Sequence, residues 1–264
     1  MDIRNSHRIT QTAATVAQLM GFSMPEAADS ANQVIMNVAG TQKIQRALLY
    51  NPDAIALWLY QKYTDLFLEV IRNTSVTLPV HSVMPSVTPV CFASMYTGLQ
   101  PADHGIQAYV KPVLQVKTLF DAAIEHGLRP IIISTEGDSI SKIFLEREMD
   151  YIICKTPDEC NANALEVIAQ NRHDIIIVYN GNYDAQMHRT GPDSQEALEA
   201  LKHNARAFEA LTLAAKLAWK DVPSVAAFLP DHGCHNIDGD LGSHGLDMSE
   251  DMNIVHFYEF WGNT

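Results

Sequence analysis

Short apolar runs alternate along this chain with longer segments of helical period. Residues 47–50, 130–134, 151–153, 174–179, 224–229 and 253–260 read as strands. The stretch Ile175-Ile176-Ile177-Val178 has no polar alternation, which is the pattern of a strand buried on both faces. Between these runs, residues 54–72, 117–126 (stopped by Gly127), 157–170 and 193–219 carry helical spacing. Strands that alternate with helices predict an α/β fold: a three-layer αβα sandwich around a mostly parallel central sheet.

The first forty residues read differently. Residues 7–20 predict a helix closed by Gly21, and residues 24–39 a second one closed by Gly40. Ser23-x-x-Glu26 is a capping box, with Pro25 in the first turn. The pattern predicts an N-terminal helical hairpin over residues 1–42, packed on the core or on a partner such as a second copy. The α/β core is then expected to span residues 43–264.

Composition narrows the function. Of 264 residues, 47% are hydrophobic and 19% charged, enough apolar material for a sizeable core. The net charge of −13 argues against a nucleic-acid partner, because backbone binding needs clustered positive charge to displace counterions. No apolar run approaches the ~18 residues of a membrane span. Met1-Asp2-Ile3-Arg4-Asn5 is a polar start without the apolar segment of a secretion signal. Together with Cys91, Cys154, Cys160 and Cys234 read as reduced thiols, this predicts a cytoplasmic protein without membrane attachment.

Five places along the chain carry chemistry. Asp53 follows the first strand, where it serves either as a metal ligand or as a helix cap. Thr88 sits at the start of an apolar helical stretch, as a cap or as a nucleophile over a helix N-terminus. Asp184 and His188, four residues apart on a helix, can converge on one ion. Asp231-His232 follows an apolar run, and His244 lies on a Gly-rich loop behind it. Carboxylate and imidazole donors of this kind suit borderline and hard divalent cations. Strand ends that feed mobile loops are where an α/β protein presents them.

In order and spacing, these elements resemble the alkaline phosphatase superfamily, and within it the nucleotide pyrophosphatase/phosphodiesterase branch. That family has an αβα sandwich and a Thr or Ser nucleophile nine residues before a Thr-Gly, followed by Pro-x-x-His-Gly-Ile. Here Thr97-Gly98 points back to Thr88, and Pro101, His104, Gly105 and Ile106 follow. Asp184, His188, Gly191 and Pro192 match its Asp-x-x-x-His-x-x-Gly-Pro. Asp231-His232-Gly233 and Gly242-Ser243-His244-Gly245 match its last two motifs. The resemblance spans about residues 45–260.

The resemblance implies two divalent metal ions, Zn²⁺ with Mn²⁺ or Fe as alternatives. It assigns one to Asp184, His188 and His244, and the other to Asp53, Asp231, His232 and the Thr88 oxygen. It implies hydrolysis of a small phosphate diester, monoester or phosphonate through a covalent phospho-threonine. Two rival readings are a phosphomutase of the same superfamily and a metal-binding scaffold without turnover. One position departs from the pattern. The family's Asn three residues after the nucleophile is Cys91 here, and a thiol is a weak donor. The backbone N–H groups of residues 89–91, Arg189 and His235 are the candidate replacements. Cys91, Arg189 and His235 are thus the candidate substrate-contacting or ligand-supporting residues, while His104 is expected to be structural.

Overall fold

In a computed structural model that describes residues 4–262, ten strands are present: β1 (His7–Arg8), β2 (Arg46–Pro52), β3 (Val76–His81), β4 (Pro130–Thr135), β5 (Asp150–Cys154), β6 (Ile175–Asn180), β7 (Ser224–Phe228), β8 (His235–Ile237), β9 (Leu241–Ser243) and β10 (Asn253–Trp261). Met1, Asp2 and Ile3 of the polar opening, and the last two residues, lie outside the described residues. Eight strands form one sheet in the order β1-β3-β10-β7-β2-β6-β4-β5, and β8 pairs with β9 as a separate ribbon. Only β10 runs against its neighbours β3 and β7; every other pairing in the large sheet is parallel.

Successive strand residues point to opposite faces, and here both faces are buried. Ala47 and Leu49 of β2 pack with Val16 and Phe92, from the helices Gln11–Leu19 and Thr88–Thr97. Leu48 and Tyr50 pack on the other side with Leu201, Phe208 and Leu211 of the long helix Gln195–Ala218. This is the expected three-layer α/β architecture. The expected strands are all present, with ends shifted by one or two residues.

The N-terminal segment departs from the expected hairpin. His7–Arg8 adds a short parallel strand to the sheet edge. Its first helix shortens to Gln11–Leu19, and Ala13, Val16 and Ala17 sit in the same cluster as the sheet residues. The Ser23 capping box does not form. The second helix starts at Gln33, where the Asn32 side chain accepts from the N–H groups of Val34 and Ile35. An ion pair explains the difference. Asp29 binds Arg8 at 2.8 Å and accepts from the Thr10 hydroxyl at 2.7 Å, which pins residues 24–31 as a loop. Residues 54–72 also break, into Leu57–Lys62, a 3₁₀ turn Thr64–Phe67 and Leu68–Ile71.

The topology concentrates strand ends. β7, β2 and β6 are parallel neighbours, so the loops after Phe228, Pro52 and Asn180 leave one end of the sheet. The loop after β3 leaves at that same end, and antiparallel β10 begins there. Ligand sites of open α/β sheets lie outside such strand ends.

Candidate metal centre

All five sequence elements meet at this end of the sheet. Asp53 follows β2, Asp184 and His188 lie on the helix Asn182–Thr190 after β6, and Asp231 and His232 follow β7. Thr88 opens the helix Thr88–Thr97 in the segment after β3, and His244 follows β9. Asp184, His188 and His244 bring ligand atoms within 4.8 Å of one another, and so do Asp53, Asp231 and His232. The His232 and His244 rings stack at 4.1 Å and join the two groups. The Thr88 hydroxyl lies 3.3 Å from Asp53 Oδ2 and 3.4 Å from His232 Nε2.

Close backbone approach shapes these loops. A side chain at Gly242 would meet Met187 of the Asn182–Thr190 helix, and one at Gly233 would strike the Glu250 carbonyl. Met187 is buried against that open face of Gly242. Beside Asp53, Ala54 takes φ 62°, a left-handed conformation costly for a residue with a Cβ and often found at functional sites.

The histidines share one arrangement. Nδ1 of His188 bonds the Gly242 carbonyl at 3.0 Å, Nδ1 of His244 bonds the Ser86 carbonyl at 2.9 Å, and Nδ1 of His232 bonds the Gly233 carbonyl at 2.9 Å. A carbonyl only accepts, so each Nδ1 carries a proton, and each ring in its neutral form turns a bare Nε2 lone pair to the centre. Metal-ligating histidines are oriented by this kind of outer bond. The carboxylates complement them: Asp53 Oδ1, Asp184 Oδ1 and Asp231 Oδ2 are buried without a hydrogen-bond partner. His188 and His244 nitrogens do approach Asp184 Oδ1, at 3.3 and 3.4 Å, but not in hydrogen-bonding geometry. One orphaned oxygen on each of three converging carboxylates, facing three bare imidazole nitrogens, fits divalent cations.

Protonation reflects the same crowding. Burial, then the nearby Asp184 charge, pushes Asp53 up to about 7. Burial and Asp53 push Asp231 well above the carboxylate range. Burial would also raise Asp184, but its contacts with His188 and His244 outweigh that and hold it low. His188 rises to about 8 beside Asp184, while burial keeps His232 far below the ordinary imidazole range. His244 is raised because Asp184 outweighs its burial. The two groups differ in access: Asp231 and His232 have no exposed surface, whereas the His188 side chain is 42% exposed. The centre opens on its His188 side.

The supporting residues fall in three positions. Cys91 is fully buried; its sulfur lies 3.3 Å from Ser82 Oγ, and the Ser82 hydroxyl donates to the Asp231 carbonyl. The backbone donors expected to replace the missing Asn are not available. Pro89 has no N–H, and those of Val90 and Cys91 both donate to the Val87 carbonyl at 3.0 Å. Arg189 is exposed and makes no ion pair among the described residues, while His235 Nδ1 binds Asp251 at 2.7 Å. His104 is tied to Ser94 and the Ile106 N–H, with burial lowering it to about 4.

Sequence reasoning missed Tyr179, whose hydroxyl donates a hydrogen bond to Asp53 Oδ2. Its only signal was a tyrosine near the end of an otherwise aliphatic buried strand. It also missed Ser86, whose carbonyl orients His244, and Asp251.

Residues 55–126 match the family of type I phosphodiesterases / nucleotide pyrophosphatases. That segment holds Thr88 and the Pro101–Ile106 run, and ends before the later ligand motifs. No curated protein matches the chain by sequence. Solved structures share the fold. A murine ectonucleotide pyrophosphatase / phosphodiesterase 5, an inactive threonine-to-alanine variant in complex with AMP, superposes with a TM-score of 0.58 at 16% identity, over 74% of this chain and 59% of that one. The human protein of the same name gives 0.58 at 16%, over 72% and 58%. A phosphonoacetate hydrolase from Sinorhizobium meliloti with phosphonoformate gives 0.54 at 18%, over 75% and 59%. The chain thus spans about three-fifths of the length of these structures, and its architecture is alkaline phosphatase-like.

Proposed function

We propose that this chain, an alkaline phosphatase-like protein with a type I phosphodiesterase / nucleotide pyrophosphatase segment, is a two-metal hydrolase of small phosphate or phosphonate esters that acts through Thr88. One observation carries the reading. Three carbonyl-anchored imidazoles and three orphaned carboxylate oxygens converge beside the buried Thr88 hydroxyl. Asp184, His188 and His244 would hold one divalent cation, and Asp53, Asp231, His232 and the Thr88 oxygen the other. The oxygen and imidazole donors suit Zn²⁺, with Mn²⁺ or Fe as alternatives. Bound cations would supply positive charge against the phosphoryl oxygens and ease loss of the Thr88 proton.

The chain's own residues do the rest. Thr88 sits in the first turn of the helix Thr88–Thr97, whose positive end favours an incoming anion. Its hydroxyl faces Asp53 Oδ2, the nearest acceptor for its proton. Thr88 Oγ1 forms the bond to phosphorus as the bond to the leaving group breaks on the opposite side. The leaving atom departs with its electron pair and gains a proton from water. A water oxygen then attacks the phosphoryl-threonine and Thr88 is released. The inactive threonine-to-alanine variant of the murine protein supports this role for a threonine.

Residues 106–174 build β4, β5 and their helices rather than a separate cap, so no observation favours the phosphomutase reading. The filled ligand set gives none to a scaffold without turnover. The test is a panel of aryl phosphate monoesters, diesters and phosphonates with Zn²⁺ or Mn²⁺, for the wild-type protein and Thr88→Ala. Wild-type turnover lost in Thr88→Ala, with metal content retained and a phosphoryl group on Thr88 after acid quench, is the expected result. Equal rates in both proteins would sink the proposal.

A further inference from the structure

In the short helix Ser249–Met252 that precedes β10, one buried residue touches both candidate metal-binding loops. The Asp251 side chain has no exposed surface. Its Oδ1 accepts from His235 Nδ1 at 2.7 Å, and its Oδ2 from the Leu246 N–H at 2.9 Å. Its backbone carbonyl accepts from the Gly233 N–H at 2.7 Å. Gly233 directly follows His232, and Leu246 lies two residues past His244. The next carbonyl, of Met252, accepts from the Ser82 N–H at 2.8 Å, at the head of the segment that leads to Thr88.

We infer that Asp251 is a positioning residue that sets the two halves of the metal centre relative to each other, an inference that rests on the two-metal reading above. Burying a carboxylate is costly unless its oxygens are satisfied. Here both oxygens are used, each on a different loop. A neutral residue with one acceptor could hold only one of them in the same way. Gly233 completes the arrangement, since any side chain there would strike the Glu250 carbonyl and push the His232 loop off residues 250–251. The Leu246 end is fixed a second time. Ser86 Oγ donates to the Leu246 carbonyl at 3.3 Å while the Ser86 carbonyl holds His244 Nδ1. Asp251 touches no ligand side chain, yet displacing it frees His232 and His244 together.

The test compares metal binding by the wild-type protein, Asp251→Asn, Asp251→Ala and His235→Ala. Calorimetry with Zn²⁺ and the visible spectrum of the Co²⁺ form provide the readouts. Outer-sphere supports of this kind typically change metal affinity ~10–100-fold. The expected result is weakening of that size at both sites in Asp251→Ala with an altered Co²⁺ spectrum, a smaller loss in His235→Ala, and partial rescue in Asp251→Asn. Should Asp251→Ala fail to fold, His235→Ala and Asp251→Asn carry the comparison. Variants that melt earlier but bind both metals with wild-type affinity and spectrum would overturn the inference and leave the two-metal reading standing. Wild-type protein that binds no metal would overturn both.

Discussion

His188 Nε2 and His244 Nε2 stand 3.1 Å apart, although neither ring has a proton to offer the other. Each has its proton committed on Nδ1, to the Gly242 and Ser86 carbonyls. Two lone pairs held face to face repel unless something positive lies between them. In the metal-free protein a second ring proton, favoured by the Asp184 carboxylate, does this, and His188 is pushed up to about 8. A divalent cation would do it better, because it would also satisfy the orphaned oxygen of Asp184.

Metal binding is therefore expected to release protons and to strengthen with pH. Asp53 holds its proton to about 7 and His188 to about 8. Each proton a cation must displace costs about tenfold in affinity per pH unit below that group's value. Affinity should climb from pH 6 to 8 and then level as these groups empty. The stability of the metal-free fold moves the other way. Both groups have folded values above their unfolded ones, so the stability they contribute at low pH is lost as pH rises through 7 to 8. Below about 6.5 the buried neutral His232 and His256 set the opposite trend, since only the unfolded chain gains their protons there. Melting curves with chelator should thus fall between pH 7 and 8.5, and saturating Zn²⁺ should erase that fall. A chelator-treated melting temperature flat across this window would contradict the assignment.

Asp231→Asn should separate stability from function. Asp231 is fully buried, and burial with the Asp53 charge opposes its ionisation. An asparagine keeps the shape, and its oxygen can still face the Ala54 N–H that lies 3.4 Å from Asp231 Oδ1. It removes one of two crowded carboxyl groups. Relief of about 1 kcal/mol would raise the melting temperature by about 2–4 °C in a chain of this size. Thermal melts at pH 8 with chelator should show the variant as the more stable protein. Zinc titrations should show loss of the buried site. A variant less stable than wild type without metal would mean that Asp231 is held by contacts other than those seen.

Much of this centre was legible because its candidate ligands sit in local motifs at strand ends. Asp231-His232 after an apolar run and Asp184-x-x-x-His188 on one helix announce themselves, and the apolar runs fix the strands that carry them. What was illegible depends on contacts across long stretches of chain. β3 was missed because Val76-Thr77-Leu78-Pro79-Val80-His81 alternates and contains proline, and its place between β1 and β10 is decided by partners far away. The Ser23 capping box is a sound local signal that lost to the Arg8–Asp29 pair and to Asn32. Tyr179, Ser86 and Asp251 have no motif, since their meaning lies in which atom each one faces.

Cys91→Ala should leave turnover within about threefold of wild type, because a thiol without a thiolate is neither nucleophile nor strong donor. Burial holds the Cys91 proton on, well above the ordinary thiol range. Its sulfur faces Ser82 and, at 3.9 Å, the Val83 carbonyl. The variant should lose about 1–2 kcal/mol of stability to the small cavity, read by urea unfolding. Iodoacetamide should label native Cys91 far more slowly than the unfolded chain. A drop in kcat of a hundredfold or more, without a matching loss of fold, would instead put the thiol in contact with the substrate.

Tyr179→Phe tests whether the second metal site depends on the orientation of Asp53. Asp53 has two oxygens with different neighbours. Oδ2 receives the Tyr179 hydroxyl and faces Thr88, while Oδ1 is orphaned 3.3 Å from His232 Nε2. The tyrosine thus fixes the carboxylate so that one oxygen is free for a cation and the other stays near the Thr88 proton. Removing the hydroxyl leaves the ring packing with Phe92 unchanged, since phenylalanine keeps the edge-to-face contact at 5.7 Å. What is lost is a hydrogen bond to a charged group, about 1.5–3 kcal/mol in the metal-bound state. Affinity at the buried site should fall at least about tenfold, measured by chelator competition, with the His188 site unaffected. Turnover measured at saturating metal should also fall, because Asp53 is then free to rotate away from Thr88. Equal loss at both sites would point to general loosening of the sheet end, and no loss would show that Asp53 is held by the cation alone.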